Sequence, residues 1–296
     1  MKVTCRRRGR RWKISNFRIP TSQFKTLHRI VFPPKCLVCG CFYHPPDVAW
    51  AAVAEDAARP STPAPFSLQR QLDRLLSECL CQTCIRGMAA VESPICDCCG
   101  IPIKGRQGSD HRCGGCILEP KYFRIARAPL VYENNLLRVI HCFKYKGKIQ
   151  LANPLAEILL IAFGLFWEKD SIDVILPVPL HDKRLRRRGF NQAYLLVRNW
   201  NIPAGQDPNH PARLQIERNT LVRVAETTPQ SALGRAKRAV NIKNAFDLND
   251  PDVVIDKRIL LIDDVYTTGA TANECARLLL KCGARHVDVL TLARAV

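Results

Sequence analysis

Apolar and polar positions follow two different rhythms along this chain. After Tyr122, short apolar runs alternate with segments of helical period. "RIARAPLVYE" (124–133) reads as a strand, and "NNLLRVIHCFKY" as a helix with Leu136, Val139, Ile140 and Phe143 on its apolar face. "DVILPVPL" (173–180) predicts a buried strand running into a proline-punctuated loop, and "NQAYLLVRNW" the helix after it. "RILLID" (258–263) predicts a second buried strand, "TANECARLLLKC" a helix stopped by Gly283, and "HVDVLTLA" (286–293) a third strand. This alternation implies an α/β fold whose parallel sheet is covered on both faces, with ligands beyond the carboxyl ends of its strands.

One stretch, Leu151 to Trp167, is apolar enough to suggest a membrane segment. It contains Pro154 and Glu157 and falls short of the ~20 residues needed to span, so it predicts a buried helix and no membrane span.

The N-terminal third lacks this rhythm. Residues 1–30 form a basic arm, and residues 31–122 a cysteine-rich region. The latter is interrupted at 45–66 by an Ala/Pro-rich insertion and followed by a short amphipathic helix around Leu68 to Leu76. Residues 123–296 hold the α/β pattern. At 296 residues the chain has room for one large domain or two modest ones.

The formal net charge is +19, and eleven Lys or Arg fall in the first 35 residues with no Asp or Glu among them. Such an arm is either a solvated tail or a nucleic-acid contact. It lacks the apolar run that a secretory signal requires. With fifteen cysteines in close pairs and no export signal, metal binding in a reducing cytoplasm fits better than a disulfide scaffold.

Four pairs have the C-x2-C form: Cys36/Cys39, Cys81/Cys84, Cys96/Cys99 and Cys113/Cys116. Two intervening residues let a tight turn aim both sulfurs at one ion, and two such turns complete a tetrahedral thiolate shell. Eight thiolates suit two structural Zn2+ sites with no open position for hydrolysis, while the spacing leaves open which pair joins which. Cys41, Cys79 and Cys98 are poorer substitutes. Cys5, Cys142, Cys275 and Cys282 read as ordinary cysteines, with Cys275 on the apolar face of its helix, and His44 and His111 as exposed histidines.

Asp263 and Asp264 fall at the end of a buried strand, followed by Thr267, Thr268, Gly269, Ala270 and Thr271 before a helix. Backbone N–H groups at a helix start, with threonine hydroxyls beside them, bind a monophosphate, and small residues let it approach. Two adjacent carboxylates can accept hydrogen bonds from vicinal sugar hydroxyls. A sugar 5-phosphate therefore matches both halves of the motif, whereas the glycine spacing and lysine of a P-loop are missing.

"LLIDDVYTTGAT" resembles the phosphoribosyl pyrophosphate (PRPP) motif of type I phosphoribosyltransferases. "FPPKCLVCG", "CDCCGIPI", "CGGC", "LPVPLHDKRLRRRGFNQA", "TTPQSALGRAKRAVNIKNAF" and "VDVLTLARA" narrow the resemblance to the ComF family of competence proteins, from about residue 30 onward. The resemblance implies a phosphoribosyltransferase-like domain behind a zinc-binding region, with Asp263 and Asp264 holding ribose hydroxyls and residues 267–271 cradling the 5-phosphate. By position, Pro177, Val178, Pro179, Leu180 and His181 resemble the pyrophosphate loop, and "TTPQSALGRAKR" the mobile loop. Mg2+ and basic side chains would stabilise departing pyrophosphate, the candidates being Lys183, Arg184, Arg186, Arg187, Arg188, Arg235, Lys237 and Arg238. Arg188, Gln192, Gln230 and Arg238 are the first to test. The implied partners are PRPP or a related sugar phosphate, single-stranded DNA and a protein of the competence machinery. The activity is either phosphoribosyl transfer to an unidentified acceptor or nucleic-acid binding in DNA uptake on a retained pocket. A third reading is a module that senses PRPP or a nucleotide without turnover, since no general base is visible.

Overall fold

A strand buried on both faces has to be largely apolar, and three such strands form the centre of this protein. The computed structural model describes residues 32–45, 68–103, 105, 108–168, 171–204, 212–226 and 242–296. The basic arm, almost all of the Ala/Pro-rich insertion, and the loop residues Gln230, Arg235, Lys237 and Arg238 lie outside the described residues.

The cysteine-rich region contributes helices α1 (Leu68–Leu76), α2 (Gln82–Arg86) and α3 (Gly114–Leu118). The chain then runs through β1 (Ala126–Arg127), β2 (Leu130–Val131), α4 (Asn134–Tyr145), α5 (Ala152–Phe166), β3 (Val174–Pro177), α6 (Asp182–Arg188) and α7 (Gln192–Leu195). Four short strands follow, β4 (Pro203–Ala204), β5 (Ala212–Arg213), β6 (Gln215–Ile216) and β7 (Leu221–Arg223). The chain closes with β8 (Phe246–Leu248), β9 (Arg258–Tyr266), α8 (Ala270–Lys281) and β10 (His286–Arg294).

The main sheet has the order β1-β10-β9-β3-β6, with β2 also on β10, and every pairing in it is parallel. Two antiparallel pairs, β4/β5 and β7/β8, stand outside it. Parallel strands need crossovers, and α4, α5 and α8 supply the cover that makes both faces interior.

The pleat of β9 shows how the cover is divided. Leu260 and Ile262 belong to one core with α1, α4, α5 and α7, whereas Ile259 and Leu261 belong to the other with α8. β10 alternates in the same way, with Leu290 and Leu292 on the first side and Val287 and Val289 on the second. Ile149–Phe166 is apolar and long enough to cross a membrane. Its Leu151, Leu155, Ile158, Leu159 and Phe163 are buried in the first core, where Trp200 packs against Phe163.

Three expectations change. The single strand at 124–133 is two short strands separated at Ala128–Pro129, because proline has no N–H for the ladder. The strand expected to end at Asp263 runs on to Tyr266, held by pairing through Arg294↔Tyr266. The helix expected over "NQAYLLVRNW" is helical only at Gln192–Leu195, and a helix at Asp182–Arg188 precedes it.

The two cysteine modules repeat one design. In each, a knuckle closes with an N–H four residues on: Gly40 donates to the Cys36 carbonyl and Gly100 to that of Cys96, both at 2.9 Å. Each second pair starts a short helix, and the leading residues Cys81 and Cys113 share nearly identical backbone angles. Gly40 and Gly100 take positive φ of 77° and 65°. The first knuckle joins the α1/α5 core through Cys36, Cys81 and Cys84, and the second joins the α8 core through Cys96, Cys99 and Cys116.

The two glycines differ in surroundings. A Cβ at Gly100 would lie 2.6 Å from the Ala126 carbonyl oxygen, while one at Gly40 would meet nothing within 4 Å. Gly40→Ala should therefore cost only the left-handed backbone term, about 1 kcal/mol. Gly100→Ala should cost at least about 1 kcal/mol more, because the blocking atom belongs to the sheet. Urea midpoints of the two variants in zinc-replete buffer check this ordering.

Candidate functional site

Where β9 and β3 end, the chain encloses a cavity of about 420 Å³. Its lining brings together Asp263, Asp264, Thr267, Gly269, Ala270 and Thr271 from the acidic motif with Val178, Pro179 and Leu180 from the loop after β3, Arg188 of α6 and Gln192 of α7. Pro177 sits inside β3, and His181 caps α6, its Nδ1 accepting the Lys183 N–H at 3.3 Å. Thr268 is not part of the lining; its hydroxyl lies 3.4 Å from the Ala270 N–H, which donates to it.

The phosphate-sized half follows from one glycine. Gly269 is the N-cap of α8 with φ 78° and has no side chain to cap it, so that at the helix start the Thr268 hydroxyl takes the Ala270 N–H. Residues 269–272 at the start of the helix line the cavity, where a dipole end favours an anion. The Tyr266 hydroxyl would lie 2.0 Å from any Cβ at Gly269, so the turn is folded directly against the tyrosine ring.

The acidic half differs from a simple pair. Because β9 continues through both acids, its pleat sends their side chains to opposite faces. Asp264 lies on the α4 side, 4 % exposed, with Oδ1 at 2.8 Å from Lys144 Nζ. Its Oδ2 is buried with no hydrogen-bond partner among the described residues. Asp263 lies on the α8 side, and its Oδ1 accepts the Asp264 N–H at 2.8 Å. Burial, then repulsion from Asp264, pushes the Asp263 carboxyl up to about 7. Burial would pull Lys144 down, but Asp264 and Asp263 outweigh it and hold the ammonium above its usual value.

Cations line the remaining wall: Arg184 and Arg188 from α6 and Arg223 from β7. Burial pulls both Arg184 and Arg223 below their usual value, and neighbouring guanidinium groups add to this. Arg188 donates to the Gln192 amide oxygen and stacks 5.1 Å from the Tyr145 ring centroid. Asn191 fixes the loop from behind: its Oδ1 caps α7 at the Ala193 N–H, 2.9 Å away, and its Nδ2 donates to the Val178 carbonyl at 3.1 Å. Cations thus face acids and an open helix start across one cavity, an arrangement suited to a ligand with both hydroxyls and phosphates.

Lys144 was not among the residues singled out from sequence, nor were Tyr132, Tyr145, Arg223, Tyr266 and Thr291 of the lining. A signal for Lys144 existed. It continues the i, i+4 stripe of Leu136 and Ile140, and a cation on an apolar stripe needs a buried partner.

Away from the cavity, the structure settles the cysteine pairing. Cys36, Cys39, Cys81 and Cys84 form one group and Cys96, Cys99, Cys113 and Cys116 another, each with sulfurs within 4.8 Å of one another. Zinc at the usual 2.3 Å bond length sets tetrahedral sulfur edges of about 3.8 Å. Cys99 and Cys113 lie 3.8 Å apart and Cys39 and Cys81 3.6 Å, so both groups can hold a zinc ion. The Cys99 and Cys113 N–H groups also donate to Cys96 Sγ at 3.4 and 3.3 Å. Cys41 lies beside the first group, 3.1 Å from Cys39, and Cys98 is buried beside the second. Cys275 is buried as expected, and His44 and His111 are exposed.

The Asp263 carboxyl sets a pH dependence. In the fold it keeps its proton up to about pH 7. The unfolded chain releases the same proton at about pH 4, so native stability falls as pH rises between these values. Asp263→Asn keeps the acceptor for the Asp264 N–H and removes the titration. The variant should gain stability relative to wild type between pH 5 and pH 8 by about 1 to 2 kcal/mol, allowing for water in the cavity. Denaturant midpoints at the two pH values measure it.

No family model matches the chain. Among curated proteins, it is 31% identical over 220 residues to the DNA utilization protein YhgH of Escherichia coli O157:H7, covering 73% of this chain and 91% of that one. It is 32% identical over 221 residues to Competence protein F of Haemophilus influenzae, covering 73% and 90%. It is 27% identical over 277 residues to Competence protein ComFC of Bacillus subtilis, covering 91% and 97%. With the motifs from residue 32 to the end in their expected order and relatives of this similarity over most of its length, the chain belongs to the ComF family.

Proposed function

We propose that the cavity binds PRPP or a closely related sugar 5-phosphate, and that the protein serves DNA uptake or nucleotide metabolism in the cytoplasm. The observation that carries this reading is the start of α8 at Gly269 lining the same cavity as Asp264, whose Oδ2 has no hydrogen-bond partner among the described residues. The 5-phosphate would take the N–H groups of 267–271. A sugar hydroxyl would donate to Asp264 Oδ2, whose other oxygen is already fixed by Lys144. Asp263 would contribute a second acceptor above about pH 7 and a donor below it.

The diphosphate would extend toward Val178–Leu180, with Arg184, Arg188 and Arg223 countering its charge. Among the described residues the groups able to hold a metal are the two cysteine tetrads. Mg2+ would therefore arrive on the diphosphate, where it would neutralise charge on the leaving group. In phosphoribosyl transfer, the bond from C1′ to the diphosphate oxygen breaks as the acceptor bond forms, and the arginines would stabilise the departing anion. The zinc region at 31–122 and the phosphoribosyltransferase-like region at 123–296 would act as two parts, with the ligand site on the second, where all the cavity-lining residues lie.

A second reading, an accessory protein that binds single-stranded DNA on a retained pocket without turnover, is favoured by α6. Its sequence DKRLRRR has no buried residue and lies at the cavity mouth. The names of the relatives, DNA utilization and competence proteins, support either reading.

Calorimetry with PRPP and Mg2+ on wild type and on the Asp263→Asn/Asp264→Asn double variant tests the site. Loss of charged acceptors should weaken binding by about tenfold or more. Equal affinity in the two proteins would remove the assignment. Pyrophosphate release on addition of nucleobases or single-stranded DNA would establish turnover; DNA binding that weakens steeply with salt, without pyrophosphate release, would favour the second reading.

A further inference from the structure

We propose that Arg294 is a positioning residue that couples the second cysteine tetrad to the phosphate turn, so that zinc in that tetrad and a sugar phosphate in the cavity stabilise each other. This rests on the reading of residues 267–271 as the turn that holds the phosphate.

Arg294 closes β10 and is 6 % exposed. Its guanidinium spans two structures. On one side Nε donates to the Cys99 carbonyl at 3.1 Å, and Nη2 lies 3.8 Å from Cys99 Sγ. On the other, Nη1 donates to the Thr267 carbonyl at 2.9 Å and the Tyr266 carbonyl at 3.3 Å, and also to Ala295. The guanidinium carbon sits 4.4 Å from the Tyr266 ring centroid, and the far end of that ring fills the space where Gly269 lacks a side chain. One buried side chain thus touches a tetrad member and both residues that lead into the turn.

Charge makes the link more than a scaffold contact. A buried guanidinium is costly without a counter-charge, and the oxygen partners of Arg294 are neutral carbonyls. Four thiolates around Zn2+ leave a doubly negative centre, and Cys99 places that centre beside Arg294. When the metal leaves, Cys99 is no longer fixed within the tetrad, and the carbonyl and sulfur that anchor Arg294 are free to shift. Arg294 then loses the partner that holds its fork toward Thr267. The first tetrad is tied elsewhere: the backbone groups of its cysteines bond Gly40, Cys41 and Ile85. It serves as an internal control.

Coupling between two sites is reciprocal, so the ligand should protect the metal. The test follows zinc release from the full-length protein to a chelating dye, with and without saturating ribose 5-phosphate. Calorimetric titration of the same ligand runs in parallel. Ribose 5-phosphate should slow release of one of two zinc equivalents by about tenfold and leave the other unchanged. In Arg294→Gln, still loaded with two zinc equivalents, ligand protection should vanish and ribose 5-phosphate affinity should fall by about tenfold. Arg294→Lys, which keeps the charge and loses the fork, should retain zinc but not full protection. Wild-type protein that binds ribose 5-phosphate yet releases both metals at ligand-independent rates would overturn the coupling while leaving the phosphate turn standing. Wild type that binds no ribose 5-phosphate would overturn both. The wild-type measurement needs no variant to fold.

Discussion

The constraint on which the rest depends is that β9 is buried on both faces until its last turns. Ile259 through Ile262 are fully buried, with alternate residues in two separate cores. Parallel pairing to β10 on one edge and β3 on the other leaves this strand no solvent side. Its carboxyl end is therefore where polar side chains can first appear, and there the chain places Asp263 and Asp264. The loop after β3 ends beside them, because Val178 still donates to the Ile262 carbonyl at 2.8 Å. The site follows from the register of three strands.

Burial also sets the electrostatics. Two buried carboxylates next to each other cannot both stay charged without a counter-ion. Lys144 provides it for Asp264, and Asp263 holds its proton instead. This leaves one oxygen of Asp264 unpaired among the described residues, on a side chain that lines the cavity. Opposite lie cations that repel one another, a wall that an anionic ligand would relieve. Acceptors at one end and cations at the other give a ligand direction as well as affinity.

Much of this was legible from residue patterns, for physical reasons that differ by element. The helix at 134–145 has a clean apolar stripe, and Gly283 stops α8 through the positive φ of 95° that few residues adopt. The cysteine spacing announced metal turns. Their pairing was hidden because all four C-x2-C turns are locally alike; Cys81 meets Cys36 and Cys113 meets Cys96 only in three dimensions. Helix α6 was not visible because DKRLRRR buries nothing and so carries no period. The opposite facing of the two acids required knowing that β9 runs to Tyr266. Lys144 comes from a helix more than a hundred residues away in the chain, beyond the reach of local motifs.

A diffraction map of the protein with ribose 5-phosphate tests the central claim most directly. The account predicts phosphate density against the N–H groups of residues 267–271, and a sugar hydroxyl within hydrogen-bond distance of Asp264 Oδ2, with Lys144 still on Oδ1. Phosphate density on α6 or elsewhere, with the turn and the acids free of ligand, would contradict it.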